Sequence, residues 1–150
     1  MTKIVKSLDD IEFPELLDHV GVQLWRAAEL WKTEFDAGMV ARGHAVFSHA
    51  CSGLLAYMDR GGTRQADLVQ RSGLTKQAVQ QFVDELAADG LVERIRDPED
   101  GRGRIVVFTA RGRAVLADAN TVKRQVEERF RNRLGPEHFR ALVGALKALA

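Results

Sequence analysis

Between Thr63 and Thr109 the hydrophobic period of the chain changes from that of a helix to that of a strand. Val79, Phe82, Val83 and Leu86 stand at i, i+3, i+4 and i+7, one buried helical stripe. Arg104-Ile105-Val106-Val107-Phe108 is a β-branched run of the strand type. Ahead of the stripe, Ser72-Gly73-Leu74 predicts a tight turn, with Gly73 relieving a backbone angle that is costly for other residues. Thr63 is expected to cap a short helix over Arg64–Arg71, and Thr75 a longer one that stops at Gly90. Leu91–Arg96 is expected to be a first strand, joined to the second through the turn chemistry of Asp97-Pro98-Glu99-Asp100-Gly101. The block therefore reads as helix, turn, helix, hairpin.

Helices are expected on both sides of it. Residues 1–13 read as a loose arm. Pro14 suits a first helical turn, where its missing N–H costs nothing. Leu16, Leu17, Val20, Leu24, Ala27, Ala28 and Trp31 then form an apolar face that fades between Gly38 and Gly43. A second helix is expected from His44 to Met58, with Val46, Phe47, Ala50, Leu54, Leu55 and Met58 inward, ended by Gly61-Gly62. After the hairpin, Thr109 caps a long helix to about Arg133 and Gly135-Pro136 breaks it. A last helix carries Phe139, Leu142, Val143, Leu146 and Leu149. The expected fold class is mainly α with a small β-hairpin.

With 150 residues, 45% hydrophobic and 29% charged, the chain can bury a core without staples. Its net charge of +1 is not the strong positive balance common among nucleic-acid binders. Charge is unevenly placed, however: −4 over residues 1–59, +2 over 60–113 and +3 over 114–150, which sum to +1. Cys51 is the only cysteine, so no intramolecular disulfide is available, which fits a reducing compartment. No apolar run approaches the ~18 residues of a membrane span, and Asp9, Asp10 and Glu12 are unlike a signal peptide. The expectation is a soluble cytoplasmic protein that does not engage a membrane.

Opposite the Val79 stripe lie Lys76, Gln77, Gln80, Gln81 and Asp84. Long amides plus one lysine, concentrated in the first two turns, suit the floor of a DNA major groove better than an acidic or apolar face would. Gln pairs bidentately with adenine N6 and N7, a contact worth about 1–3 kcal/mol of discrimination. Lys76 and the free N–H groups of the helix start suit a phosphate oxygen. Alone, such a helix reads equally well as an ordinary amphipathic helix with a solvated face. The hairpin tip, Asp100-Gly101-Arg102-Gly103-Arg104, favours the nucleic-acid reading. Small residues between arginines let guanidinium groups project from a thin loop toward a narrow minor groove. Asp100 is expected to hold Arg102 by a charge-assisted bond.

Five stretches then carry a resemblance: Gly73-Leu74-Thr75-Lys76-Gln77-Ala78-Val79, Val83-Asp84-Glu85-Leu86, Asp89-Gly90-Leu91-Val92-Glu93-Arg94, Asp97-Pro98-Glu99-Asp100-Gly101-Arg102 and Phe108-Thr109-Ala110-Arg111-Gly112. In combination they resemble the MarR-like transcriptional regulators, most strongly over residues 61–115. The resemblance implies a winged helix-turn-helix lobe at 44–113 between N- and C-terminal dimerisation helices at 14–43 and 114–150. It implies a homodimer that binds double-stranded DNA at a pseudo-palindromic operator. Thr75, Lys76, Gln77, Gln80 and Gln81 would lie on the reading helix, and Arg102 and Arg104 on the wing. Many relatives carry Arg where this chain has Gln81, which leaves fewer charge contacts here. The resemblance also implies a repressor released by a small aromatic or phenolic effector, held in a cavity that Trp25, His49 and Tyr57 would line.

Other residue types point elsewhere only weakly. Cys51 would make a redox-responsive regulator if its thiol were activated, but it lies among apolar neighbours with no Lys or Arg close in sequence to lower its pKa. His19, His44 and His49 form no pair at three- or four-residue spacing, so no metal site is expected. His138 reads as an exposed side chain. No Ser/His/Asp or Cys/His set and no phosphate-cradling glycine loop is arguable from spacing, so neither an enzyme nor a cofactor is expected. The competing class is a winged-helix module that docks proteins instead of DNA.

Overall fold

A computed structural model describes residues 18–149. The expectations placed on the arm, on Pro14 and on Leu16 and Leu17 fall outside these residues. The first helix, α1, spans Val20–Ala41, and His19 caps it by accepting from Gly21 N–H through Nδ1 at 3.2 Å. The lobe that follows contains β1 (Thr63–Arg64), α2 (Gln65–Ser72), α3 (Lys76–Ala88), β2 (Val92–Arg96) and β3 (Arg104–Phe108). Two further helices, α4 (Ala110–Leu134) and α5 (Pro136–Leu149), complete the described chain.

Local chemistry explains most boundaries. Thr75 and Thr109 cap α3 and α4 by accepting from Ala78 N–H and Gly112 N–H at 3.1 and 2.9 Å. Gly73 closes α2 with φ of 68°, in the left-handed region that glycine enters freely. Val79, Val83 and Leu86 of α3 are fully buried with Leu68 of α2, Leu54 and Val106. That cluster runs on through Met39 of α1 and Val122 and Val126 of α4, so the lobe and the long helices share one core.

Several expectations are corrected. The segment His44–Met58 is not one α-helix but two 3₁₀ helices, Ala45–Ser48 and Ala50–Tyr57, divided at His49 in extended conformation. Ser48 and Ser52 hydroxyls donate to the carbonyls of Ala45 and His49, three residues back, which competes with regular α-helical bonding. Ala50, expected inward, is exposed.

Thr63 does not cap a helix. It is a strand residue paired opposite Val106, and its hydroxyl accepts from Asp59 N–H at 2.8 Å. Gly62 brings the chain against β3 so closely that a Cβ there would lie 2.7 Å from Val107 Cγ1. The expected hairpin is therefore a three-stranded antiparallel sheet of order β1-β3-β2. At the wing tip, Asp100 Oδ1 accepts from the backbone N–H of Arg102 at 3.0 Å and not from its guanidinium. The carboxylate shapes the turn and leaves the arginine side chain free to extend.

Outside the lobe, α4 packs along the second half of α1. Gly38 makes their approach close, since a Cβ there would lie 2.6 Å from Val122 Cγ1. Glu34 of α1 accepts from Arg129 and Arg133 of α4 at 2.7 and 2.8 Å. The first half of α1 is different: Val20, Leu24, Trp25 and Leu30 are exposed. In α5 no residue is buried, and Leu142, Leu146 and Leu149 face outward.

Candidate nucleic-acid interface

The N-terminal two turns of α3 form one wall of a cleft of about 550 Å³. Lys76 and Gln80 come from α3, Gln65, Ala66 and Val69 from α2, Arg94 from β2, and Arg102 and Arg104 from the wing. The fold places them there for a simple reason. The buried stripe of α3 fixes which side of the helix faces out, and β2 returns antiparallel to β3, carrying the wing to the same side.

Of the residues singled out in the sequence, Lys76, Gln80, Arg102 and Arg104 line this cleft together. Thr75 lies at its helical edge with its hydroxyl engaged in the cap. Gln77 and Gln81 are exposed on α3 outside the cleft lining, and Gln81 Nε2 donates to Glu85 at 2.9 Å. Arg102 and Arg104 are exposed; Arg104 Nη1 donates to Gly103 O at 3.0 Å.

Among the polar residues of the lining, two were not singled out from sequence, Gln65 and Arg94. Arg94 Nη1 donates to Asp84 Oδ1 at 2.6 Å, its Nη2 to Gln80 O at 3.2 Å and its Nε to Gln65 Oε1 at 2.9 Å. The guanidinium holds the Asp84 carboxyl below the usual carboxylate range, against a smaller opposing effect of burial. The acid on the face of α3 is thereby neutralised locally. Strand alternation offered a signal: Arg94 shares a face with buried Val92, and a cation so placed needs a partner.

The base of the wing is held separately. Asp97 is 2% exposed; its carboxylate receives Arg64 Nε at 2.6 Å and Glu99 N–H at 2.9 Å. Arg64 also pairs with Glu99. These contacts depress the Asp97 pKa, the Arg64 bond most, and raise that of Arg64.

A second cavity, of about 660 Å³, lies between α3 and the two 3₁₀ helices and is lined by Ala45, Val46, His49, Cys51, Glu85, Ala88 and Asp89. Of the three residues expected at an effector site, only His49 lines it. Trp25 is 69% exposed on α1, its indole N–H donating to Glu29 at 2.7 Å. Tyr57 is also exposed, its carbonyl accepting from Arg71. Cys51 is fully buried, and burial, aided by Glu85, pushes its thiol up to about 11. Among the described residues no group of His, Cys, Asp and Glu is arranged to hold a metal ion. No helix among them is long and apolar enough to cross a membrane.

The family model described as MarR family matches residues 47–103. The transcriptional regulator HosA of Escherichia coli O111:H- is 35% identical over 82 residues, 55% of this chain and 61% of its own length. The chain thus spans about three fifths of that relative. HosA of Escherichia coli O157:H7 is 31% identical over 94 residues, 63% of this chain and 70% of its own. Among solved structures, the transcriptional repressor CouR bound to a 23-mer DNA duplex aligns with a TM-score of 0.66 at 27% identity, covering 87% of this chain and 92% of that one.

Proposed function

The chain belongs to the MarR family, and on that premise we propose that it is a homodimeric transcriptional repressor that binds double-stranded DNA sequence-specifically in the cytoplasm. The observation that carries this reading is the shared cleft of α3 and wing, where Lys76 and Gln80 face Arg102 and Arg104. The start of α3 enters the major groove, Gln77, Gln80 and Gln81 read base edges, and Lys76 with the N–H groups of the first turn holds phosphate. Arg102 and Arg104 reach the adjacent minor groove. CouR, a relative by structure, is a repressor seen on a duplex.

Residues 44–113 form the reading lobe in this proposal, and 14–43 with 114–150 form the dimer. Support comes from the apolar residues a single chain leaves uncovered at Val20, Leu24 and Trp25 of α1 and at Leu142, Leu146 and Leu149 of α5. A second copy covers them, and two lobes then read a pseudo-palindrome. Two sets of phosphate contacts compensate for the small net charge per chain. Repression is relieved by a small aromatic or phenolic effector, supported by the His49 cavity beside α3. A ligand there acts by favouring a dimer whose reading helices are mis-spaced for DNA.

The test is equilibrium binding to the duplex upstream of its own gene, against scrambled competitor, over a salt series. Selective binding with a steep salt slope is expected. Equal weak binding to both duplexes contradicts the reading.

A further inference from the structure

The polar face of α3 is tied to the lobe by a closed ring of four side chains. Arg94 Nε donates to Gln65 Oε1 at 2.9 Å, and Gln65 Nε2 donates to Gln80 Oε1 at 2.7 Å. Gln80 Nε2 donates to Asp84 Oδ2 at 3.3 Å, and Arg94 Nη1 closes the ring on Asp84 Oδ1 at 2.6 Å. Its chemistry has a single sense. A guanidinium only donates and a carboxylate only accepts. Gln65 must therefore turn its oxygen to Arg94 and its NH₂ to Gln80. Gln80 must turn its oxygen to Gln65 and its NH₂ to Asp84. Reversing either amide sets donor against donor or acceptor against acceptor.

Within the ring, Gln80 keeps part of its capacity. One lone pair on Oε1 remains unused and, with a single N–H shared between the two Asp84 oxygens at 3.3 and 3.4 Å, one N–H on Nε2 as well; the residue is exposed on the cleft. In the major groove an A·T pair and a T·A pair present the adenine N6 donor and N7 acceptor in opposite order. A freely rotating amide reads both by turning over; a fixed one reads a single order.

We propose that Gln65 and Arg94 are positioning residues that fix the sense of the Gln80 amide, so that Gln80 distinguishes A·T from T·A at one base pair of each half-site. The inference rests on the DNA-binding function proposed above. It gives Gln65, on the helix before the reading helix, a part in base choice without contact to the base.

The experiment is selection of duplexes from a randomised pool by the full chain, followed by affinity measurement on single base-pair variants of the selected sequence. The wild type is expected to prefer A·T over T·A at one pair per half-site by about tenfold. Gln65→Glu replaces the amide by an isosteric acceptor that opposes Gln80 Oε1, while Asp84 opposes the turned-over amide, so that neither sense is favoured. Gln65→Leu keeps bulk but removes the 2.7 Å donor, leaving only the longer Asp84 contacts of 3.3 and 3.4 Å to orient the Gln80 amide. Thermal melting identifies whichever of the two stays folded, and the result is read from it. The expected result is loss of the A·T preference at that one pair, with preferences at other pairs retained. A merely structural role weakens binding to every duplex alike. Unchanged preferences, or uniform weakening across all pairs, overturn the inference and leave DNA binding standing. A wild type that selects no duplex overturns the proposed function and the inference with it.

Discussion

Arg64 and Asp97 meet across 33 residues of chain, with Nε 2.6 Å from Oδ2, and so join the start of α2 to the base of the wing. Asp97 is buried and has no second cation within salt-bridge distance among the described residues. Asp97→Asn is therefore expected to lower the melting temperature at neutral pH. The folded carboxyl titrates below its unfolded value, so the stabilisation is complete above the unfolded pKa and is lost as pH falls through the folded one. Melting curves of wild type and variant should separate at pH 7 and converge below about pH 4. An equal gap at every pH would contradict the assignment.

Gly112 sets the distance between α4 and the turn before β2. A Cβ at this position would lie 2.0 Å from Leu91 O, a backbone atom that cannot swing aside. Gly112→Ala should cost about 1–3 kcal/mol through forced displacement of the backbone. Urea unfolding reads this as a lower midpoint with an unchanged slope.

Cys51 is a packed thiol with an acidic neighbour in Glu85, and burial raises its pKa from 9.0 to about 11. Folding thus favours the protonated thiol, so its contribution is present below pH 9 and lost as pH rises toward 11. At neutral pH, iodoacetamide should label the folded protein far more slowly than the urea-unfolded chain. Rapid labelling of the folded protein would revive a redox-responsive reading.

Lys76 lines the cleft at the first position of α3. If it neutralises a phosphate, Lys76→Ala should weaken binding to all duplexes alike and reduce the salt slope by about 1. Gln77→Ala, by contrast, should alter preference at particular base pairs. Titrations of matched and mismatched duplexes at several salt concentrations separate the two behaviours.

Short-range features were the legible part of this molecule. Thr75, Gly73 and Thr109 act within three or four residues, and each marks a boundary in the sequence that the fold keeps. The β-branched run Arg104–Phe108 is β3 to the residue. What escaped depends on distant partners. β1 exists because Thr63 and Arg64 meet Val106 and Ile105, some forty residues on, and two residues carry no strand period. The 3₁₀ helices keep the composition of an α-helix, and their apolar residues Val46, Phe47 and Leu54 are still buried. In the cleft, Lys76 and Gln80 were legible because they lie on the polar face of one helix. Strand alternation marked Arg94 only as a cation in need of a partner, and Gln65 carried no mark at all; which groups they hold is decided when α2 and β2 are brought to that face.

If two reading lobes grip one duplex through α3 and the wing, footprinting the protein on its selected operator should show two protected major-groove windows centred about one helical turn, 10–10.5 bp, apart. Each window should be flanked by minor-groove protection that Arg102→Ala removes. A single protected window, or protection unaffected by the wing substitution, would contradict that arrangement.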